Sequence, residues 1–386
     1  MKVALSTAGK FHLFDLAREL HARDSLAGIC TGYPRFKLRS EQLPKEKIHT
    51  FPWLTVPNIA LGRLERLPRR VLASTQTLAA RTFDMWASRN LPECDVFVGL
   101  SGSALLTGRR VQRLGGRYVC DRGSAHIRFQ DQILREESDL WDGDFSGADP
   151  RVIDQEEAEY ASADCITVPS KFVLDSFIRH GVLAGRLRQV SYGVNLRRFQ
   201  PTAAPDADRF DVLFVGGMSL RKGVQYLVQA YTRFNHPAKS LTFVGTPSAA
   251  LIEELVRRGV WPADARVVGS VPQLELKHLM SKSHVMVLPS VEDGFGMVMA
   301  QAMACGCPVI ASENTGARDL FTDGEEGFIV PIRDVDALTQ RLQQLADDPQ
   351  LRERMGERSL GRVKNLGGWS EYGALALQTY QDLVDS

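Results

Sequence analysis

Short apolar runs alternate along the chain with stretches whose apolar residues recur every third or fourth position. The runs Val3–Leu5, Val96–Val98, Tyr118–Cys120, Cys165–Val168, Val212–Val215, Leu241–Val244, Arg266–Val268, Val285–Leu288, Val309–Ala311 and Phe328–Val330 predict strands. The stretches Leu13–Leu20, Val224–Phe234 and Leu338–Leu345 carry helical spacing. Strand and helix alternating in this way predict an α/β fold, with doubly wound parallel sheets covered by helices on both faces.

The alternation restarts. After Tyr192 come Gly193 and the segment PTAAPDADRF, whose composition suits an exposed connector. FDVLFVGG then opens a new strand–turn–helix unit, as MKVALSTAG does at the start. Two Rossmann-like domains are expected, residues 1–190 and 191–367, facing a central cleft. Ligands of such folds bind outside the carboxyl ends of the strands.

Composition adds limits. The chain has 386 residues, a hydrophobic fraction of 44% and a charged fraction of 24%, ordinary for a globular protein. The net charge of +1 gives no general case for nucleic-acid binding. Cys30, Cys94, Cys120, Cys165, Cys305 and Cys307 form no C-x-x-C pair and read as small buried residues in a reducing compartment. The N-terminus lacks the apolar run of a secretion signal, and no stretch reaches the length of a membrane span. The expectation is a cytoplasmic protein, with peripheral attachment to the inner face of a membrane as the furthest departure from that.

The first third is rich in Lys and Arg. They are densest from Tyr33 to Leu72, as Arg35, Lys37, Arg39, Lys45, Lys47, Arg63, Arg66, Arg69 and Arg70, interleaved with Phe51, Trp53, Leu54, Val56, Ile59 and Leu61. Two readings stay open: contact with an anionic membrane surface, or a solvated basic face around a loop that packs its own Trp.

Two segments carry candidate chemistry. In FVGGMSLRKGVQYLVQAY a strand ends at Val215, Gly216 and Gly217 turn, and a helix begins near Lys222. Arg221 and Lys222 place two cations at a helix start, where they oppose the dipole by about 0.3–1 kcal/mol each. A bound diphosphate explains that cost, because N–H groups and cations converge there. The alternative is an exposed Arg–Lys pair. In PSVEDGFGMVMAQAMACGCPVIAS a strand ends at Pro289 and Ser290, Asp293 to Gly296 turn, and a helix runs from Met297 to Ala304. The start of that helix, at Phe295, Gly296, Met297 and Val298, offers N–H groups to a phosphate or a sugar hydroxyl. Asp293 precedes the helix; Gln301 follows about two turns later on a face suited to a ribose.

These segments, with SYGVNLRRF and ADCITVPSKFVLDSF, resemble glycosyltransferase family 4, the retaining enzymes of GT-B fold. The resemblance covers nearly the whole chain. It implies an acceptor site mostly on the N-terminal half, a nucleotide-sugar site mostly on the C-terminal half, and a last helix (368–386) that returns to the N-terminal domain. It also implies transfer of a hexose or N-acetylhexosamine to a glycan or lipid-linked glycan, retention of configuration, no bound metal or other cofactor, and a departing phosphate that takes the acceptor's proton.

By the same resemblance the family's two glutamates fall on Asp293 and Gln301, both departures from its pattern, with Glu292 and Gly294 beside the first. The family's basic pair falls on Lys222 and Gly217, and Arg221 is expected to supply the missing cation. Its glycine loop falls on Gly9, with His12 nearby. Its N-domain histidine is replaced by Asp121, leaving Asp121, Arg122 and His126 as candidates around the reacting carbon. Backbone groups near Val268, Gly269 and Val271 are expected to meet the base. Asp142-Gly143-Asp144 reads as a solvated turn and not as a metal-binding D-x-D. An epimerase or sugar phosphorylase of the same fold, or a non-catalytic membrane-associated subunit, are the alternatives.

Overall fold

The computed structural model describes residues 1–53, 57 and 69–386, and the side chains of 69–73 are left aside. Among the described residues the chain builds two parallel sheets. The first contains β1 (Val3–Thr7), β2 (Leu26–Thr31), β3 (Ile48–Thr50), β4 (Val96–Leu100), β5 (Arg117–Asp121), β6 (Cys165–Val168) and β7 (Leu187–Gln189), in the order β3-β2-β1-β4-β5-β6-β7. The second contains β8 (Phe210–Val215), β9 (Lys239–Val244), β10 (Ala265–Gly269), β11 (Val285–Leu288), β12 (Val309–Ser312) and β13 (Gly327–Val330), in the order β10-β9-β8-β11-β12-β13. Every ladder is parallel. In both sheets the order reverses beside the first strand, which creates a crevice at the carboxyl ends.

Helices cover both faces, so the central strands are apolar throughout. β1, β11 and β12 are buried at every position, as parallel strands packed on two sides must be. Three strands were not expected from the sequence. β3 and β7 are three-residue edge strands, IHT and LRQ, with too few apolar positions to signal. β2, LAGICT, carries Gly28, where an added Cβ would sit 3.0 Å from Pro92 and 3.1 Å from the Lys47 carbonyl.

The chain crosses between the halves twice. The connector from Val190 leads into the second sheet, and a last helix, Trp369–Asp385, returns to the first. Its Tyr372, Ala376 and Tyr380 are buried in the core of the N-terminal half with Leu13, Leu16 and Leu20. Gly373 lies so close to Glu19 of the Leu13–Ala22 helix that a Cβ there would overlap that side chain.

Two buried carboxylates bind the halves together. Glu137, on the Ile127–Leu140 helix, accepts hydrogen bonds from Gln225 Nε2 (2.6 Å), Tyr226 Oη (2.6 Å) and Arg333 Nε (2.7 Å). Glu292 runs the other way, accepting from the Ala125 N–H at 3.0 Å and from Gln130 Nε2 at 2.8 Å. Ser170 Oγ adds a bond to the Gly294 carbonyl at 2.6 Å.

Candidate active site

The two crevices face each other. Between them lies a cleft of about 680 Å³, within the size range of small-molecule sites. Its N-terminal wall follows β1, β2 and β4: Lys10, Phe11, His12 and Asp15, then Glu41, then Leu100 and Ser101. Its C-terminal wall follows β8 and β11: Val215, Gly216 and Lys222, then Asp293 and Phe295 to Val298.

The C-terminal wall is made by two turns locked together. Leu220–Lys222 is a single 3₁₀ turn, and the α-helix begins only at Val224. Gly223 joins them at φ +70°, where an added Cβ would overlap the Pro289 carbonyl oxygen. Only glycine allows both the left-handed conformation and that approach. The turn is thereby pressed against the end of β11, and Lys222 Nζ pairs with Asp293 Oδ2. The next turn ends at Gly296, with φ +71°, and the Met297–Ala304 helix starts there, with Gly296, Met297 and Val298 in the cleft lining. Gln301 is half-buried one turn beyond Met297, on the same helix face. Among the described residues its side chain makes no hydrogen bond, and it does not line the cleft itself.

Gly216 lines the cleft; an added Cβ at its neighbour Gly217 would meet nothing within 4 Å. Val268 and Gly269 lie on the same rim, because the Gly269 carbonyl accepts from the Gly245 N–H at 2.9 Å and Gly245 packs on Gly216. They and Val271 stand outside the cleft lining.

Two expected sugar or phosphate ligands face elsewhere. Glu292 is fully buried, and its carboxylate is filled by Ala125, Gln130 and Arg221. It holds the halves together instead of reaching a sugar. Arg221 gives its Nε to Glu292 at 2.8 Å and lines a second cavity of about 510 Å³ behind the 3₁₀ turn. Lys222 is therefore the cation of this pair that meets the cleft.

On the N-terminal wall, Thr7 Oγ1 bonds the Gly9 carbonyl at 3.1 Å, and the turn delivers His12 to the cleft. Gly9 itself packs under the Phe11 ring and is not part of the lining. His12 Nε2 lies 2.7 Å from Asp121 Oδ1, and Asp121 Oδ2 accepts from Thr167 Oγ1 at 2.9 Å. Arg122 edges the cleft, but its guanidinium is committed to Glu156 at 2.5 Å and to the Ala125 carbonyl. Burial works against its charge, and Glu156 more than offsets this, holding its pKa above the usual arginine range. His126 is not brought into the site. It is 3% exposed, stacks on His180 at 4.5 Å between Tyr160 and Phe177, and accepts the Arg128 N–H as the cap of the Ile127–Leu140 helix. Burial first, and His180 second, push its pKa down to about 4.

Sequence reasoning missed Tyr192. Its ring contacts His12 at 4.2 Å and Phe295 at 5.2 Å, bridging the two walls, and burial raises its phenol pKa well above the ordinary value. The signal was its place at the head of SYGVNLRRF. Lys10 and Glu41, paired at 2.5 Å, were also missed, because nothing local marks them.

Residues 197–361 match the family described as "Glycosyl transferases group 1". That span contains the whole second sheet and both turns of the C-terminal wall. D-inositol 3-phosphate glycosyltransferase of Kribbella flavida is 26% identical over 373 residues, covering 90% of this chain and 85% of its own. The chain is a glycosyltransferase. Sucrose-phosphate synthase of Thermosynechococcus elongatus shares the enzyme's fold, with a TM-score of 0.75, 24% identity and 99% of each chain covered. HepE of Anabaena in complex with UDP-glucose aligns with a TM-score of 0.71 at 17% identity, covering 99% of this chain and 100% of its own. These likenesses establish a GT-B fold for the glycosyltransferase.

Among its described residues the glycosyltransferase has no group of three or more His, Cys, Asp or Glu placed to hold a metal ion. Asp142, in the D-G-D turn, is 80% exposed and pairs with Arg258 at 2.8 Å. No described helix is long and apolar enough to cross a membrane. In the basic segment Phe36 and Trp53 are exposed, while Phe51 stacks on Trp86. Leu54, Val56, Ile59, Leu61, Arg63 and Arg66 lie outside the described residues.

Proposed function

We propose that this glycosyltransferase is a retaining, metal-independent member of family 4. Its donor is a nucleotide-diphosphate sugar carrying a hexose or N-acetylhexosamine, and its acceptor is a glycan or lipid-linked glycan. The observation that carries this reading is the C-terminal wall. Lys222 and the start of the Met297–Ala304 helix line the space beside Asp293. A helix start with a lysine suits a diphosphate, and the same charge stabilises it as the glycosidic bond breaks. In this reading Asp293, in the cleft lining, meets the sugar hydroxyls, and Gln301, on the helix behind it, meets the ribose. In the same reading the base extends past the rim at Gly269 toward Val268 and Val271. HepE, of the same fold, has been seen with UDP-glucose.

The test is incubation with nucleotide sugars, with and without a glycan acceptor. Transfer with unchanged anomeric configuration is expected, and nothing but slow hydrolysis without acceptor. An epimerised donor formed in the absence of acceptor would contradict the reading.

We also propose cytoplasmic location with peripheral contact to an anionic membrane, supported by exposed Phe36 and Trp53 among Arg35, Lys37, Arg39 and Lys45. Co-sedimentation with vesicles should rise with anionic lipid content. Equal binding to neutral vesicles would count against it.

A further inference from the structure

Phe11 leaves an aromatic ring open inside the cleft. It stands in the turn between β1 and the Leu13–Ala22 helix, lines the cleft and is 54% exposed. Two contacts hold it there. Its ring lies on Gly9, where an added Cβ would overlap it, and its carbonyl accepts the Phe14 N–H at 3.1 Å. A single apolar side chain on an outer surface needs no explanation, but one held inside a small-molecule cleft is surface for a ligand. On the same wall Asp15 and Glu41 also line the cleft. Glu41 is buried and comes from elsewhere in the chain, the end of the 3₁₀ segment Arg35–Glu41. The next residue, Gln42, is held at φ +56°, a conformation uncommon for a residue with a side chain. The nearby cations are committed to these carboxylates: Lys10 pairs with Glu41 at 2.5 Å, and Arg18 with Glu41 at 2.6 Å and with Asp15. A carboxylate has about four acceptor sites, so each can take a further donor.

We propose that Phe11 is the platform for the sugar ring at the accepting end of the acceptor, and that Asp15 and Glu41 accept hydrogen bonds from the hydroxyls of that ring. This rests on the reading of the cleft as a nucleotide-sugar transfer site, and it narrows the acceptor to one whose accepting end is an uncharged sugar. The C–H face of a pyranose packs on an aromatic face, and its hydroxyls are donors that a carboxylate accepts. A phosphate on that end would lie against Asp15 and Glu41, whose charges repel it. Lys10 and Arg18 are paired with those carboxylates and do not stand free to receive it. The donor stays on the facing wall, at Lys222 and Asp293. Phe11 thus sets which acceptor is taken and has no part in breaking the donor bond.

The experiment measures transfer by wild type, Phe11→Ala, Phe11→Trp and Glu41→Gln, with nucleotide binding followed by calorimetry. The donor is the nucleotide sugar that most raises the melting midpoint. The acceptors are the methyl pyranosides of glucose, galactose, mannose and N-acetylglucosamine, each with and without a 6-phosphate. They are compared by KM, or by inhibition constant where one is not turned over. Wild type should take at least one neutral pyranoside and hold it more tightly than its phosphate. Phe11→Ala should raise the KM for that pyranoside about tenfold or more, as truncation of an aromatic anchor does, and Phe11→Trp should keep it within about threefold of wild type. Glu41→Gln keeps the shape and removes the charge, so the preference for the neutral sugar should narrow about fivefold. Phe11 is exposed, so its variants give the answer should Glu41→Gln fail to fold. A KM in Phe11→Ala within about threefold of wild type, an unchanged preference in folded Glu41→Gln, or a wild type that takes no pyranoside or prefers the phosphates would overturn this proposal alone. A wild type that binds no nucleotide would overturn the parent reading and this one with it.

Discussion

Lys222 and Asp293 are the residues on which the donor site turns. Their pair is partly buried, with side chains 23% and 15% exposed, and it lines the cleft. A diphosphate between the Met297–Ala304 helix start and Lys222 would gain more than Asp293 does. Lys222→Ala should therefore weaken nucleotide-diphosphate binding tenfold or more, about 1.4 kcal/mol, while the melting midpoint barely moves. Gln301 differs in kind. Its neutral amide sits one turn beyond Met297, clear of Asp293. Gln301→Ala should raise the KM for donor several-fold and leave kcat near wild type; an equal loss in kcat would show that it acts in the chemistry. The turns that carry Lys222 and Asp293 were legible because each joins a strand to a helix in a local sequence that announces it. Glu292 and Arg221 stand in the same turns and were misassigned. Their partners, Ala125, Gln130 and Ser124, come from the other half of the chain, and no local pattern records them.

Elements carry the next level. The Met297–Ala304 helix matched its expected bounds because Gly296 and Gly306, both at positive φ, close it at either end. The Ile127–Leu140 helix gives a prediction in pH. Its cap His126 has an ordinary pKa of 6.5 when unfolded and about 4 when folded. Between those values the unfolded chain binds more protons, so stability is full above pH 6.5 and is lost as pH falls toward 4. Protonation would also break the cap and place charge 4.5 Å from His180. Denaturation midpoints at pH 7.5 and 5.0 should differ in wild type and converge in His126→Asn, which keeps a capping side chain. An undiminished pH dependence in the variant would show that other groups dominate. The edge strands β3 and β7 were invisible to pattern because three residues cannot display a period.

At the scale of the molecule, the sequence pattern reached the two parallel sheets but not how they close on each other. Repeated strand–turn–helix units made the first legible. The second depends on contacts such as Glu137 with Arg333 and Gly294 with Gly123, each spanning more than half of a domain's sequence. The His12–Asp121 pair belongs to this scale too, since only the strand order brings the ends of β1 and β5 together. The same order sets both crevices face to face and makes one cleft of them. That the cleft takes a nucleotide-diphosphate sugar is tested most directly by a thermal-shift panel of UDP-, GDP-, ADP- and TDP-sugars on wild type and Lys222→Ala. A ligand at a hundred times its Kd stabilises by about 2.7 kcal/mol. One nucleotide series should raise the wild-type midpoint by that mechanism and stabilise Lys222→Ala by about half as much or less at the same concentration. No shift with any series, or an equal shift in the variant, would contradict the account.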